Sequence, residues 1–293
     1  LWPVPSSLRV TSVVFNDPFA WVTTETGTHN GAVHTRTVFF RQAEDQWLLT
    51  APDPAYLGER RETRTENMVF EYYAPDALWF EERIPAQMQT VLDQAATDLG
   101  IPTDGFFVTV ATDAVPGGSA SRSEETPRLR FVSPSIGGWR VDQPDPQELR
   151  LSVELLGMLL ETRINASGGE DVRFVMTHVS AFLWEIERLF PQQIDWEAYI
   201  GVFISPVPGL GLDELWDLTW TEPEDGPEDM VWGNYRALIQ FISETYGPEI
   251  VPSLLHNVSG TDDLDEWLRL STGYGLDEVE PAWQTWLAEN YSE

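Results

Sequence analysis

Residues 171–190 read as a long, mostly apolar helix with one histidine, His178, near its centre. On such a helix two imidazoles four residues apart reach one metal ion. A Glu beside the first takes a proton from the metal-bound water, which is the logic of H-E-x-x-H. Here the run is His178-Val179-Ser180-Ala181-Phe182. Val179 stands at the base position and Phe182 at the second ligand position. The candidate for a third ligand is Glu197, 19 residues after His178. One His and one Glu make an incomplete set, because catalytic zinc usually takes about three protein ligands and structural zinc about four. His29, His34 and His256 are remote in sequence. His178 therefore reads as a polar group beside an apolar stripe of Val175, Val179, Phe182 and Ile186. We expect no bound metal and no cofactor.

Carboxylates are the other chemical groups in quantity. Paired carboxyls across a cleft can hydrolyse glycosidic bonds. With 48 acidic residues, no pair stands out. Glu185, Glu187 and Glu197 lie near the His178 stretch, and Glu185 and Glu197 are the weak catalytic candidates. Solvated acids on helix faces are the simpler reading. Trp184, Trp196, Trp216, Trp220 and Trp232 fall within fifty residues of one another. They can line a sugar- or peptide-binding groove, although packing between helices is the commoner use.

These residues sit in an ordered series of elements. Residues 8–15, 19–26, 33–41 and 46–50 read as strands, rich in Val, Thr and Phe and separated by turn residues. They predict an antiparallel meander whose concave face needs a cover from elsewhere. Residues 51–65 read as a linker with Pro52, Pro54 and Gly58. A strand at 67–73, a helix at 76–99 and strands at 106–111 and 128–132 follow. Pro85 marks a kink or the true start of that helix. From about residue 147 the pattern is helical: 147–165, 171–190, 196–203, 212–218, 234–246, 248–257, 264–270 and 276–289. Gly247, Gly260 and Gly273 fall between the last four.

Composition closes several routes. The formal charge is −31, and all 17 basic residues are Arg. Such a surface repels phosphate backbones, so nucleic acid is not an expected partner. There is no cysteine, hence no disulfide and no thiolate ligand or nucleophile. There is no G-x-S-x-G, no P-loop and no G-x-G-x-x-G. No run of 18 apolar residues is present, so no transmembrane segment is expected in this chain.

Two stretches carry a resemblance. Thr37-Val38-Phe39-Phe40-Arg41, followed by Trp47-Leu48-Leu49-Thr50-Ala51-Pro52-Asp53-Pro54, resembles the end of an NTF2-like (SnoaL-like) cone sheet. Three tail segments resemble the end of peptidase-MA-like, gluzincin-type domains. They are Phe241-Ile242-Ser243-Glu244-Thr245-Tyr246-Gly247-Pro248, Leu264-Asp265-Glu266-Trp267-Leu268, and the run from Gly275 through Pro281-Ala282-Trp283. In that family the tail packs behind the H-E-x-x-H helix. The resemblance implies that His178 is a remnant ligand, with Glu197 at the third-ligand position. Val179 and Phe182 are then the lost positions. It also implies a bacterial exported protein of the Chloroflexi lipoprotein type, with a lipid anchor upstream.

The expected fold class is α+β: an N-terminal antiparallel cone-like sheet, then a zincin-like domain with a small mixed sheet and a mainly helical C-terminal half. The expected domains are 1–52, a linker at 53–65, and 66–293. The expected function is a non-catalytic binding or scaffold module for a peptide, glycan or protein ligand. The alternatives are a metal-independent hydrolase using carboxylates of the same cleft, a residual metallopeptidase, or an apolar-ligand pocket in the sheet.

Overall fold

In the N-terminal strands, register decides which side chains share a face. A computed structural model describes residues 7–27, 33–114, 127–139, 146–166, 172–190, 206, 209–217 and 228–291. Strands β1 (Ser7–Asn16), β2 (Phe19–Gly27), β3 (Val33–Ala43) and β4 (Gln46–Leu49) form an antiparallel meander in sequence order. Directly opposite residues of an antiparallel pair share a face. Between Val10 and Ser12 the register with β2 slips, which leaves Thr11 as the extra residue of a bulge. The slip moves Leu8 and Val10 onto the same face as Val13 and Phe15. The register continues that face through Val22 of β2, Val38 and Phe40 of β3, and Trp47 and Leu49 of β4. Phe15 and Trp47 meet across it, with ring centroids 5.7 Å apart.

The opposite face carries Trp21, Thr23, Thr37 and Phe39, and this face is packed. A single helical turn, α1 (Pro54–Leu57), lies against it. Tyr56 sets its ring edge-on to Phe39 and Trp21, at 4.9 and 5.7 Å. Its hydroxyl is 3.0 Å from Thr37 Oγ1. Leu57, Phe39 and Ile136 form a small buried cluster there. Asp53 caps α1 by accepting from the Ala55 N–H at 2.9 Å, and its other oxygen accepts from Asn16 Nδ2 at 3.1 Å.

The second sheet is mixed. β5 (Arg60–Arg64) runs antiparallel to β6 (Met68–Tyr73), while β7 (Val108–Asp113) and β8 (Arg128–Val132) continue in parallel, in the order β5-β6-β7-β8. β6 and β7 are buried almost throughout, as expected of central strands covered on both faces. β5 is an edge, and its Arg and Glu residues keep it soluble. Residues 53–65, expected as linker, therefore hold α1 and β5. The charged run that reads as a loop is the charge pattern of an edge strand.

The long helix expected at 76–99 is two helices, α2 (Ala77–Glu82) and α3 (Ile84–Leu99). They part at Arg83, just before Pro85. Phe80 of α2 stacks on Tyr72 of β6 at 4.9 Å. A short α4 (Pro134–Gly137) follows β8. The remaining helices are α5 (Pro146–Ala166), α6 (Val172–Leu189), α7 (Leu212–Asp217), α8 (Glu228–Tyr246), α9 (Val251–Asn257), α10 (Leu264–Thr272) and α11 (Leu276–Tyr291). The expected segment at 196–203 lies outside the described residues. The fold is α+β: an antiparallel sheet, a small mixed sheet and a helical remainder.

The chain divides into two compact units. One comprises Leu1–Val91 and Gly105–Leu155 and holds both sheets. The other comprises Leu92–Asp104 and Leu156–Glu293. In the helical unit, α6 packs along α8, and α9 along α10. Trp267, Trp283, Phe241, Val251 and Leu254 are fully buried there. Trp267 Nε1 donates to the Leu254 carbonyl at 3.1 Å, and Trp283 Nε1 to the Leu210 carbonyl at 3.2 Å. α3 ends on Gly100 at φ +64, where a Cβ would sit 2.8 Å from Pro252 Cβ. The Ile101 N–H closes that cap on the Ala96 carbonyl.

Candidate functional site

α6 forms because residues 172–189 contain neither Gly nor Pro and place Phe174, Ala181, Trp184 and Ile186 on buried faces. It stops at Phe190, whose N–H bonds to the Ile186 carbonyl, and Pro191 follows in the sequence. This helix places His178 and Glu185 seven residues apart, two turns along one side. That spacing is about 10 Å at 1.5 Å rise per residue. The two groups are therefore separate sites on one helix face.

His178 is 1% exposed. Its Nδ1 lies 2.8 Å from the Phe174 carbonyl oxygen, one turn back. A carbonyl can only accept, so Nδ1 carries the proton and Nε2 the lone pair. The imidazole also lies on the Phe174 ring, with centroids 3.9 Å apart. Burial lowers its pKa to about 4. The bond to the Phe174 carbonyl works the other way, and the Arg163 charge adds to the lowering. The ring is thus neutral at physiological pH. Val179 and Phe182 are half-buried. The Phe182 ring faces Gly157 of α5, in ordinary contact range of a Cβ built there.

A protonated Nδ1 tied to a carbonyl does leave Nε2 free to bind a metal. The rest of the set does not fit zinc. Val179 takes no proton, Phe182 offers no lone pair, and among the described residues no three His, Asp or Glu side chains gather to hold an ion. Glu197, at the third-ligand position, lies outside the described residues, as do Trp196 and Trp220.

Glu185 is held differently. Its side chain has no exposed surface. Arg188, one turn on, donates Nε to Oε2 at 2.8 Å and Nη2 to Oε1 at 2.9 Å. Arg188 also pairs with Asp98 at the end of α3, and its guanidinium lies 5.8 Å from the Trp184 ring. Burial pushes the Glu185 carboxyl up to about 8. The Arg188 fork pulls the other way, but Arg188 is partly exposed and shares its charge with Asp98, so burial dominates. Glu187, on the other side of the helix, pairs with Arg236 of α8.

The tryptophans fall into separate settings. Trp184 and Trp216 are both buried. Trp216 stacks on Trp267 at 4.9 Å, and Arg173 lies 5.1 Å over its face. Its Nε1 donates to the Asp262 carbonyl at 3.0 Å, and Arg173 Nη2 bonds Asp262 Oδ1 at 2.5 Å. Indole and guanidinium thus meet at Asp262, the indole on its carbonyl and the guanidinium on its exposed carboxylate.

Sequence reasoning missed Asp98, Arg173 and Asp76. Asp76 is fully buried at the start of α2. It accepts from Ser133 Oγ at 2.8 Å and the Ser135 N–H at 3.1 Å, and burial raises its pKa. Nothing distinguishes it in sequence from the other acids. The Glu185–Arg188 spacing of three was readable as a helical ion pair.

No protein-family model matches the chain, and no curated protein matches it.

Proposed function

We propose that this chain is a non-catalytic binding or scaffold protein, exported by a bacterium, whose helical unit is a metallopeptidase-like frame with a degenerate H-E-x-x-H. One observation carries the reading. His178 is committed to packing: it is buried, neutral, bonded to the Phe174 carbonyl and laid on the Phe174 ring. Val179 and Phe182 beside it supply neither base nor ligand. The ligand on this reading is a peptide, a glycan or another protein.

The test is metal content and turnover on the same sample. The purified chain is incubated with zinc, desalted and assayed by mass spectrometry, then offered a peptide library with and without chelator. We expect no stoichiometric zinc and no chelator-sensitive cleavage. Zinc at one per chain, lost in His178→Ala together with peptidase activity, would sink the proposal.

A second reading has one observation in its favour. A carboxyl raised to about 8, like that of Glu185, is protonated near neutral pH, as a general acid must be. Against it, both Glu185 oxygens are taken by Arg188 and neither reaches solvent. Any hydrolytic turnover that survives Glu185→Gln unchanged removes this reading.

A further inference from the structure

One face of the β1–β4 sheet is packed at its centre, although Val14 and Leu48 at its edges are exposed, and the other is bare among the described residues. Leu8, Val10, Val13 and Phe15 of β1 and Trp47 and Leu49 of β4 point to the bare face, and all six are exposed. Phe15 is 71% and Leu49 72% exposed. The bulge at Thr11 gathers the four β1 residues onto this side. Six such side chains, each between 42% and 72% exposed, are the kind of apolar patch from which a standard stable interface of about 800 Å² per partner is built. A monomer rarely leaves so much contiguous apolar surface in water.

Charge points to the occupant. Residues 1–50, which span the meander, hold only four of the 48 acids, Asp17, Glu25, Glu44 and Asp45, and three arginines, Arg9, Arg36 and Arg41. That segment is net −1, and the rest of the chain is net −30. Two copies of a chain at −31 repel through nearly any other surface. They meet with little of that penalty through the meander. We infer that a second copy of this chain covers the bare face, sheet against sheet, in an isologous dimer. Each apolar residue is then used twice, and the two sheets lie about 10 Å apart. The inference rests on the sheet alone and is independent of the reading of His178.

Sedimentation velocity on the full chain tests it, across a dilution series in roughly 0.02 M and 0.5 M NaCl, where screening changes most. The wild type is expected to be a dimer, with a dissociation constant that falls as salt rises. Val13→Glu and Leu49→Glu, on the bare face at opposite edges, should each raise that constant at least about tenfold, which is about 1.4 kcal/mol. Val14→Glu, on the other face of β1, should leave it unchanged. All three positions are exposed, and circular dichroism and thermal melting check that the variants fold. A monomeric wild type at every concentration overturns the inference, including one that carries a small apolar ligand instead. So does a dimer that Val14→Glu weakens as much as Val13→Glu, or one that neither face variant weakens.

Discussion

The N-terminal sheet and the α6 region solve opposite problems. The sheet shows apolar side chains to water, while α6 hides an imidazole and a carboxylate from it. Phe15 and Leu49 stand in the open, and His178 and Glu185 are buried. A buried polar group on a helix finds partners locally. His178 reaches back one turn to a carbonyl and Glu185 forward one turn to a guanidinium, so the helix satisfies both groups from its own residues. An apolar strand has no such local remedy. Its second face needs a second layer, and among the described residues α1 and α4 supply a layer to one face only. Helical chemistry is completed within a turn, and a sheet face is completed only by another element or another chain.

Large-to-small substitutions expose this difference most strongly. Trp267 has no exposed surface, stacks on Trp216 and donates to the Leu254 carbonyl. Trp267→Ala should cost about 3–5 kcal/mol, as truncation of a fully buried aromatic does. Phe15→Ala should change the stability of the isolated subunit by less than about 0.5 kcal/mol. Urea unfolding at a dilution where the chain is monomeric reads both. A Phe15 cost comparable to that of Trp267 would mean that the bare face is covered within the subunit.

The two regions were unequally legible in sequence. The β1–β4 strands follow from runs of Val, Thr and Phe broken by Asn16-Asp17-Pro18 and by glycines, and their bounds match the pattern within two residues. The bulge was not legible, because Ser7–Asn16 reads as one strand whether or not Thr11 is paired. Only the register with β2 shows which residues share a face. At α6 the helix and its apolar stripe were visible, and so was the absence of a base at Val179. The tertiary partners were not. Asp98 meets Arg188 from α3, ninety residues earlier in the chain. Arg173 meets Asp262 eighty-nine residues on. Among 48 acids, no local pattern marks the one that folding brings near.

Acid and base titrations sharpen the contrast within α6. Burial holds His178 near 4, below its ordinary 6.5. The folded state therefore binds that proton less well than the unfolded state. The resulting stability is complete above pH 6.5 and is lost as pH falls to about 4, a swing of up to roughly 3 kcal/mol. Burial raises Glu185 from 4.5 to about 8. Its contribution has the opposite sign: it is complete below pH 4.5 and is lost as pH rises to about 8. Between 4.5 and 6.5 the two oppose each other. Relative to wild type, His178→Leu should gain stability as pH falls from 6.5 to 4. Glu185→Gln should gain as pH rises from 4.5 to 8. In absolute terms Glu185→Gln also carries a cost that does not vary with pH, because Arg188 loses a partner. Chemical denaturation across that range measures both. A Glu185→Gln variant that loses stability as pH rises would show that Arg188 outweighs burial and keeps the carboxylate charged.

The smallest effect is expected at the one ion pair across β1 and β2. Arg9 Nη2 lies 2.5 Å from Glu25 Oε2, and Arg9 is largely exposed. The pair stands on the packed side of the sheet, opposite Leu8 and Val10, by the register of β1 with β2. An exposed pair of this kind is worth less than about 1 kcal/mol and weakens with salt. Arg9→Ala should therefore shift stability by a few tenths of a kcal/mol at most, measured by denaturation. It should also leave self-association unchanged, because it lies away from the bare face. Association that weakens in Arg9→Ala but not in Val13→Glu would move the contact from the apolar face to the opposite one, where polar groups and α1 already lie. The sheet would then resemble α6, with charged groups carrying the contact and the apolar residues left as bystanders.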